Sequence, residues 1–195
     1  MEGRHFLLLL LLVLNAPART AFKAPQETTT EALIVHARPG DVTRAEREAW
    51  LCPRGETSPR PLLKGARLAP GDVVTTGPAG RAEWSLGPDS YMRVAGASRV
   101  KVGEVHPEDM AFAVEEGRAL AVITRLAEGA SIVIETPLAL FFVAGKGSYE
   151  VSVARGGETE AVAFRGELRF IDRRGLIVRV RRGHRVRLSL KAAQD

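Results

Sequence analysis

Nine arginines fall between Arg165 and Arg187, against two acids, Glu167 and Asp172. That segment carries +7, so the rest of a chain of net charge +5 carries −2. A guanidinium presents a rigid fork of donors that grips carboxylates and phosphates, so arginine at this density points to recognition of anions. Arg179 and Arg181 share one face of a strand, as do Arg185 and Arg187. If the two strands pair as a hairpin around Gly183, all four lie on one surface. These four are the candidate anion-binding or partner-binding residues. The competing reading is a solvated strand face whose charges discourage edge-to-edge association.

The rest of the chain offers little chemistry. His36, His106 and His184 lie in separate elements, with no His-x-x-x-His or Glu-x-x-His spacing. There is no Gly-x-Ser-x-Gly, no phosphate loop and no dinucleotide fingerprint. Glu115 and Glu116 are neighbours that face opposite sides of a strand, and they read as flanking a turn at Gly117. Cys52 is the single cysteine, which excludes a disulfide framework and a cysteine-held metal cluster; it is expected to be a buried thiol. Trp50, Trp84 and Tyr91 suit sugar stacking or a protein contact if exposed, but with so few aromatics most are expected in the core. No catalytic residues, metal or cofactor are expected, and the chain reads as a non-enzyme.

With 195 residues, 45% hydrophobic and 26% charged, the chain has the size and composition of one globular domain. Its first residues read as an address. Arg4 and His5 precede the apolar run Phe6–Leu14, and Ala16 and Ala18 give the small-x-small pattern that a signal peptidase accepts. Residues 1–18 are therefore expected to be a signal peptide, with cleavage as late as residue 24; the alternative is an uncleaved anchor. The run is too short to span a bilayer as a helix. Export implies a periplasmic or secreted protein. It also argues against nucleic acid as partner, since no aromatic stacking pattern accompanies the arginines.

Residues 19–30 read as a flexible arm and 31–195 as the domain. Ala32–His36 is the first strand candidate. Thr43 to Leu51 is the one helix candidate, because Thr43 can cap it and Glu46 stands three residues on. Residues 52–61, with three prolines and a glycine, read as a loop. From Leu62 onward, thirteen short β-type runs are punctuated by glycine or proline. Two of them, Ala111–Val114 and Arg118–Arg125, are separated by a turn at Glu116-Gly117. Alternation of period two, as in Tyr149, Val151 and Val153 against Glu150 and Ser152, favours strands over helices. So many short strands exceed one flat sheet. The expected fold is all-β, a twisted two-layer sandwich or a solenoid-like coil with at most one short helix near the N-terminus.

The order of phrases along the chain resembles the FecR-type domain. The opening is Leu63-Lys64-Gly65-Ala66-Arg67-Leu68-Ala69-Pro70-Gly71-Asp72-Val73-Val74-Thr75-Thr76-Gly77. Gly80-Arg81-Ala82-Glu83-Trp84-Ser85-Leu86, Ser90–Val94 and Ser98–Val102 follow, then Glu116-Gly117-Arg118 and Glu135-Thr136-Pro137-Leu138-Ala139. The series ends with Tyr149 and Val151, then Phe164-Arg165-Gly166-Glu167-Leu168 and a glycine-led strand at Gly183, so the resemblance runs from about Ala32 to Leu190. Gly71, Asp72, Gly77, Gly80, Pro137 and Gly166 read as turn residues that shape the fold. The family usually has a Gly-Thr pair three residues before the aromatic, where this chain has Lys146-Gly147. Its best-known members are membrane-spanning regulators of sigma factors, an architecture that is not carried over to this chain. The resemblance implies a non-catalytic extracytoplasmic binding module of the bacterial envelope that recognises a protein partner, in signalling. The alternative is a structural envelope protein that binds an anionic cell-wall or surface polymer through the C-terminal arginine face.

Overall fold

Apolar and polar residues alternate through most of the chain, and a strand turns that alternation into one buried face and one wet face. The computed structural model describes residues 37–143 and 145–189, and fifteen strands and no helix lie among them. The strands form a single open mixed sheet that folds into two leaves. The first leaf runs, in spatial order, β1 (Val42–Glu46), β5 (Arg81–Gly87), β6 (Ser90–Val94), the C-terminal half of β8 (Asp109–Ile123), β11 (Gly147–Val153), β12 (Thr159–Arg165) and β15 (His184–Leu188). The second runs β3 (Arg60–Pro61), β2 (Ala49–Cys52), β4 (Val73–Thr76), β7 (Ser98–His106), the N-terminal half of β8, β9 (Ser131–Glu135), β10 (Ala139–Val143), β13 (Glu167–Asp172) and β14 (Ile177–Arg181). Every pairing is antiparallel except β8 with β9.

β8 belongs to both leaves, which corrects the expected turn at Glu116-Gly117. Residues up to Glu116 pair with β7, and from Gly117 onward the same strand pairs with β11. Gly117 takes a φ of +89°, a bend that a β-carbon resists, and such an atom would stand 2.6 Å from the Ala97 carbonyl oxygen. The Arg118 N–H, just past the corner, donates to Ser98 Oγ at 3.0 Å. Glycine here bends a strand from one leaf into the other without ending it.

The leaves bury their inner faces against each other. Trp84 of the first leaf and Phe112 of the second have ring centroids 5.6 Å apart, and both side chains are fully buried. Tyr149, Phe141, Leu68, Met92, Met110, Ile132 and Ile134 are next among the large side chains that are fully buried.

The helix expected over Thr43 to Leu51 is replaced by β1 and β2. The Thr43 hydroxyl donates to Glu83 Oε1 of the neighbouring strand at 2.9 Å, so it does not serve as a helix cap. Arg47 then takes a φ of +54°, which reverses the chain and hands it from one leaf to the other. Val42, Ala49 and Leu51 are buried because both leaves need an inner face there, and that demand overrides local propensity. The expected loop over 52–61 ends in the two-residue strand β3. The candidate strand Ala32–His36, the arm and the signal segment lie outside the described residues.

Candidate interaction surface

The four candidate arginines do not share a face. The hairpin around Gly183 is not formed: β14 pairs with β13, and β15 pairs with β12. The Gly183 N–H donates to the Ala163 carbonyl at 2.7 Å, drawing the chain onto β12 of the first leaf, while Val180 stays buried in the second. Arg179 and Arg181 thus lie on the outer face of the second leaf. Arg179 stands opposite Arg169 and 3.9 Å from Glu167, and Arg181 stands opposite Glu167. Arg185 and Arg187 lie on the outer face of the first leaf, where Glu160 meets both, at 3.7 Å and 2.9 Å. The hydrogen bond to Glu160 raises the Arg187 pKa above its ordinary value. Sequence reasoning missed this glutamate, since only the register of β12 on β15 brings it there.

The six motif residues sit in turns. The Gly71 N–H donates to the Val102 carbonyl at 2.7 Å. The buried Asp72 carboxylate accepts from the N–H groups of Ala69 (2.9 Å) and Arg54 (3.1 Å), which fixes the entry to β4. The Gly77 carbonyl accepts from Gly80 and Ala97, both at 2.9 Å, and Gly80 packs on the Glu48 carbonyl where no β-carbon fits. Pro137 follows Thr136 in the β9–β10 turn, and the Thr136 hydroxyl accepts from the Ala139 N–H at 3.1 Å. Gly166, with a φ of +82°, leads from β12 to β13 beside the Tyr149 hydroxyl. That hydroxyl lies 3.1 Å from the Lys146 carbonyl, which accepts its proton, and burial raises the phenol pKa above its ordinary value.

The concavity that does gather arginines lies elsewhere, on the outer face of the first leaf. It is an open groove of about 790 Å³ bordered by Arg47, Arg81, Arg93 and Arg118, with Glu46 and Glu150 among its walls. Each arginine comes from a different segment: the β1–β2 turn, β5, β6 and β8. The register Arg44–Glu83–Arg93–Leu120–Glu150 sets one row across the leaf. Two nitrogens of Arg93 donate to one oxygen of Glu83, at 3.0 and 2.7 Å, and its guanidinium lies 5.0 Å from the centre of the Tyr91 ring. The bond to Glu83 raises the Arg93 pKa above its ordinary value. Arg118 lies 3.7 Å from Glu150. Ala79, Ala95 and Gly96 also line the groove, and Gly96 packs directly on the Pro78 carbonyl, where no β-carbon fits. No single stretch of sequence announces this site.

The remaining candidates do not converge. Among the described residues, no group of three or more His, Cys, Asp or Glu side chains is placed to hold a metal ion. His106 and His184 are exposed, and Cys52 is half-buried rather than buried, its thiol donating to the Glu56 carbonyl at 3.1 Å. Trp84 is core, Tyr91 is half-buried beneath Arg93, and Trp50 is half-buried opposite Thr75 and Pro61.

Comparison with known proteins bears on the fold and the family. The fold is similar to two crystal structures, at 2.50 and 1.65 Å resolution, of a proposed anti-sigma factor from Parabacteroides distasonis ATCC 8503. Each has a TM-score of 0.52 at 13% identity over 60% of this chain and 54% of the other, so the chain spans about half of the structures it matches. No curated protein matches it. The family described as FecR protein matches residues 72–169, a narrower span than the resemblance suggested and one that stops short of β14 and β15. Half of the sequence, including both halves of β8 and three of the four groove arginines, thus lies within the match, and the chain belongs to the FecR family.

Proposed function

We propose that this protein is a non-catalytic binding module of the bacterial envelope, exported by residues 1–18 and folded over 31–195, that recognises a protein partner in signalling. The observation that carries the reading is the groove of the first leaf, which four arginines from separate segments line together with small residues. Glu83 holds Arg93 in place by two hydrogen bonds, so less side-chain freedom is lost there when a partner binds. Membership of the FecR family and a fold like that of a proposed anti-sigma factor support a signalling role over a catalytic one. An anionic polymer bound through a single four-arginine face is less favoured, because Arg179 and Arg181 lie on one leaf and Arg185 and Arg187 on the other.

The test places a photo-crosslinking amino acid at Ala79, an exposed residue lining the groove, in cells that express the full chain. The expected result is a discrete adduct with one protein, together with a mature chain that begins after residue 18. Adducts with polymer alone, or none, would overturn the partner reading. A mature chain still beginning at Met1 would overturn the cleavage.

A further inference from the structure

The sheet is open, so among the described residues each outermost strand has one side without a strand partner. Three of these edges are blunted. β3 has two residues, one of them a proline. β1 carries a register shift between Val42 and Arg44. On β15, Arg185 and Arg187 reach back to acids of the leaf they border. β14 also sets one arginine near an acid of its leaf, Arg179 at 3.9 Å from Glu167, but it is a regular five-residue strand without a register shift against β13, and it opens on exposed apolar residues. Ile177 at its start is 65% exposed and the adjoining Leu176 60%.

The hydrogen bonding shows which groups are open. The Asp172 N–H donates to the Leu176 carbonyl at 3.1 Å, closing the three-residue loop Arg173-Arg174-Gly175. Antiparallel pairs that exchange hydrogen bonds recur every second residue. By that alternation Val178 and Val180 bond to β13, and the N–H and C=O groups of Ile177, Arg179 and Arg181 point away from it. No other strand among the described residues bonds to that side.

Side chains determine what can dock there. Arg179 and Arg181 rise on the outer face beside Arg169, and Ile177 follows Leu140 and Ile171 in one apolar row. A second copy of β14 laid antiparallel on this edge would bring arginine against arginine, a like-charge arrangement that opposes pairing. A strand with acids facing Arg181 and Arg179, and apolar residues facing Val180, Val178 and Ile177, satisfies every position.

We infer that β14 is a docking edge for an acidic extended segment of a partner protein, which adds to the second leaf as an antiparallel strand. The site is separate from the groove of the first leaf and lies beyond the family match, so it stands whether or not the groove binds.

The probe is a capped seven-residue peptide, Thr-Glu-Val-Glu-Val-Val-Thr, added to the isotope-labelled full chain. Amide exchange is expected to slow at Ile177, Arg179 and Arg181 and to stay unchanged at Val178 and Val180. N-methylation of the peptide at its edge-facing amides should abolish binding, because the charges remain and the ladder does not. Arg179→Pro removes an outward N–H together with the guanidinium and should abolish it, whereas Arg179→Gln removes the charge but keeps the N–H and should weaken it only about three- to tenfold. Arg81→Gln, in the groove, should change nothing. Equal binding of the N-methylated peptide, or protection that appears at the groove instead of β14, would overturn the proposal, as would no protection at all.

Discussion

The two leaves share one core and one strand, yet their outer faces differ in kind. The outer face of the first leaf is organised by ion pairs: Glu83 with Arg93, Glu150 with Arg118, and Glu160 with Arg185 and Arg187. Its acids are more sheltered than its arginines, so cations project from a partly buried acidic base. The second leaf carries an apolar row, Leu140, Ile171 and Ile177, and Arg169, Arg179 and Arg181 gather near its β14 edge. Burial against a common core therefore sets only the inner face of each strand. The outer face is left free to specialise, and here it does so in two ways.

The packing between the leaves is the first thing to break. Trp84→Ala should cost about 3–5 kcal/mol in chemical denaturation, because it empties the largest group between the leaves. Its indole N–H has no partner in the core, so Trp84→Phe should cost much less than the alanine. The junction comes next. Gly117→Ala should cost about 2–4 kcal/mol from left-handed strain and collision with the Ala97 carbonyl. Gly129→Ala has a similar φ, +77°, but open space around it, and should show the strain alone, about 1–2 kcal/mol.

Ion pairs sharpen the contrast between the outer faces. A double-mutant cycle on Arg93 and Glu83 should give about 1 kcal/mol, since Glu83 is only 17% exposed. The same cycle on Arg99 and Glu115 of the second leaf, where both partners are well exposed, should give at most about 0.3 kcal/mol. Equal values would erase the distinction.

The smallest effect concerns pH. Burial raises the Tyr149 pKa, so above pH about 10 the unfolded chain loses a proton that the native state keeps. Stability should therefore fall as pH rises through that range, and Tyr149→Phe should remove this part of the fall. An unchanged pH profile in the variant would count against burial of the Tyr149 hydroxyl as the cause of the fall.

Strand identity was legible wherever one side of the strand is buried and the other wet. Tyr149, Val151 and Val153 alternate with Glu150 and Ser152 in sequence and in space alike. The misreadings occur where a local signal competes with a distant partner. Thr43 and Glu46 have the spacing of a helix cap, but Glu83 lies forty residues away and claims the Thr43 hydroxyl. Gly117 looks like a turn, but it serves as a corner because β7 and β11 continue the pairing on either side. The candidate site was legible only in its chemistry. Arginine was the right residue type, but the density near the C-terminus drew attention to Arg179, Arg181, Arg185 and Arg187, which the two leaves divide. Arg47, Arg81, Arg93 and Arg118 are spread over seventy-two positions, and only the register of the first leaf brings them to one groove.

The most direct test of the claim that the first leaf holds the partner surface compares two charge reversals in the Ala79 crosslinking assay. Arg47→Glu with Arg81→Glu changes the groove, and Arg179→Glu with Arg181→Glu changes the far edge of the second leaf. The account predicts that the first pair abolishes the protein adduct and the second leaves its yield unchanged. An adduct that survives reversal of the groove would contradict it.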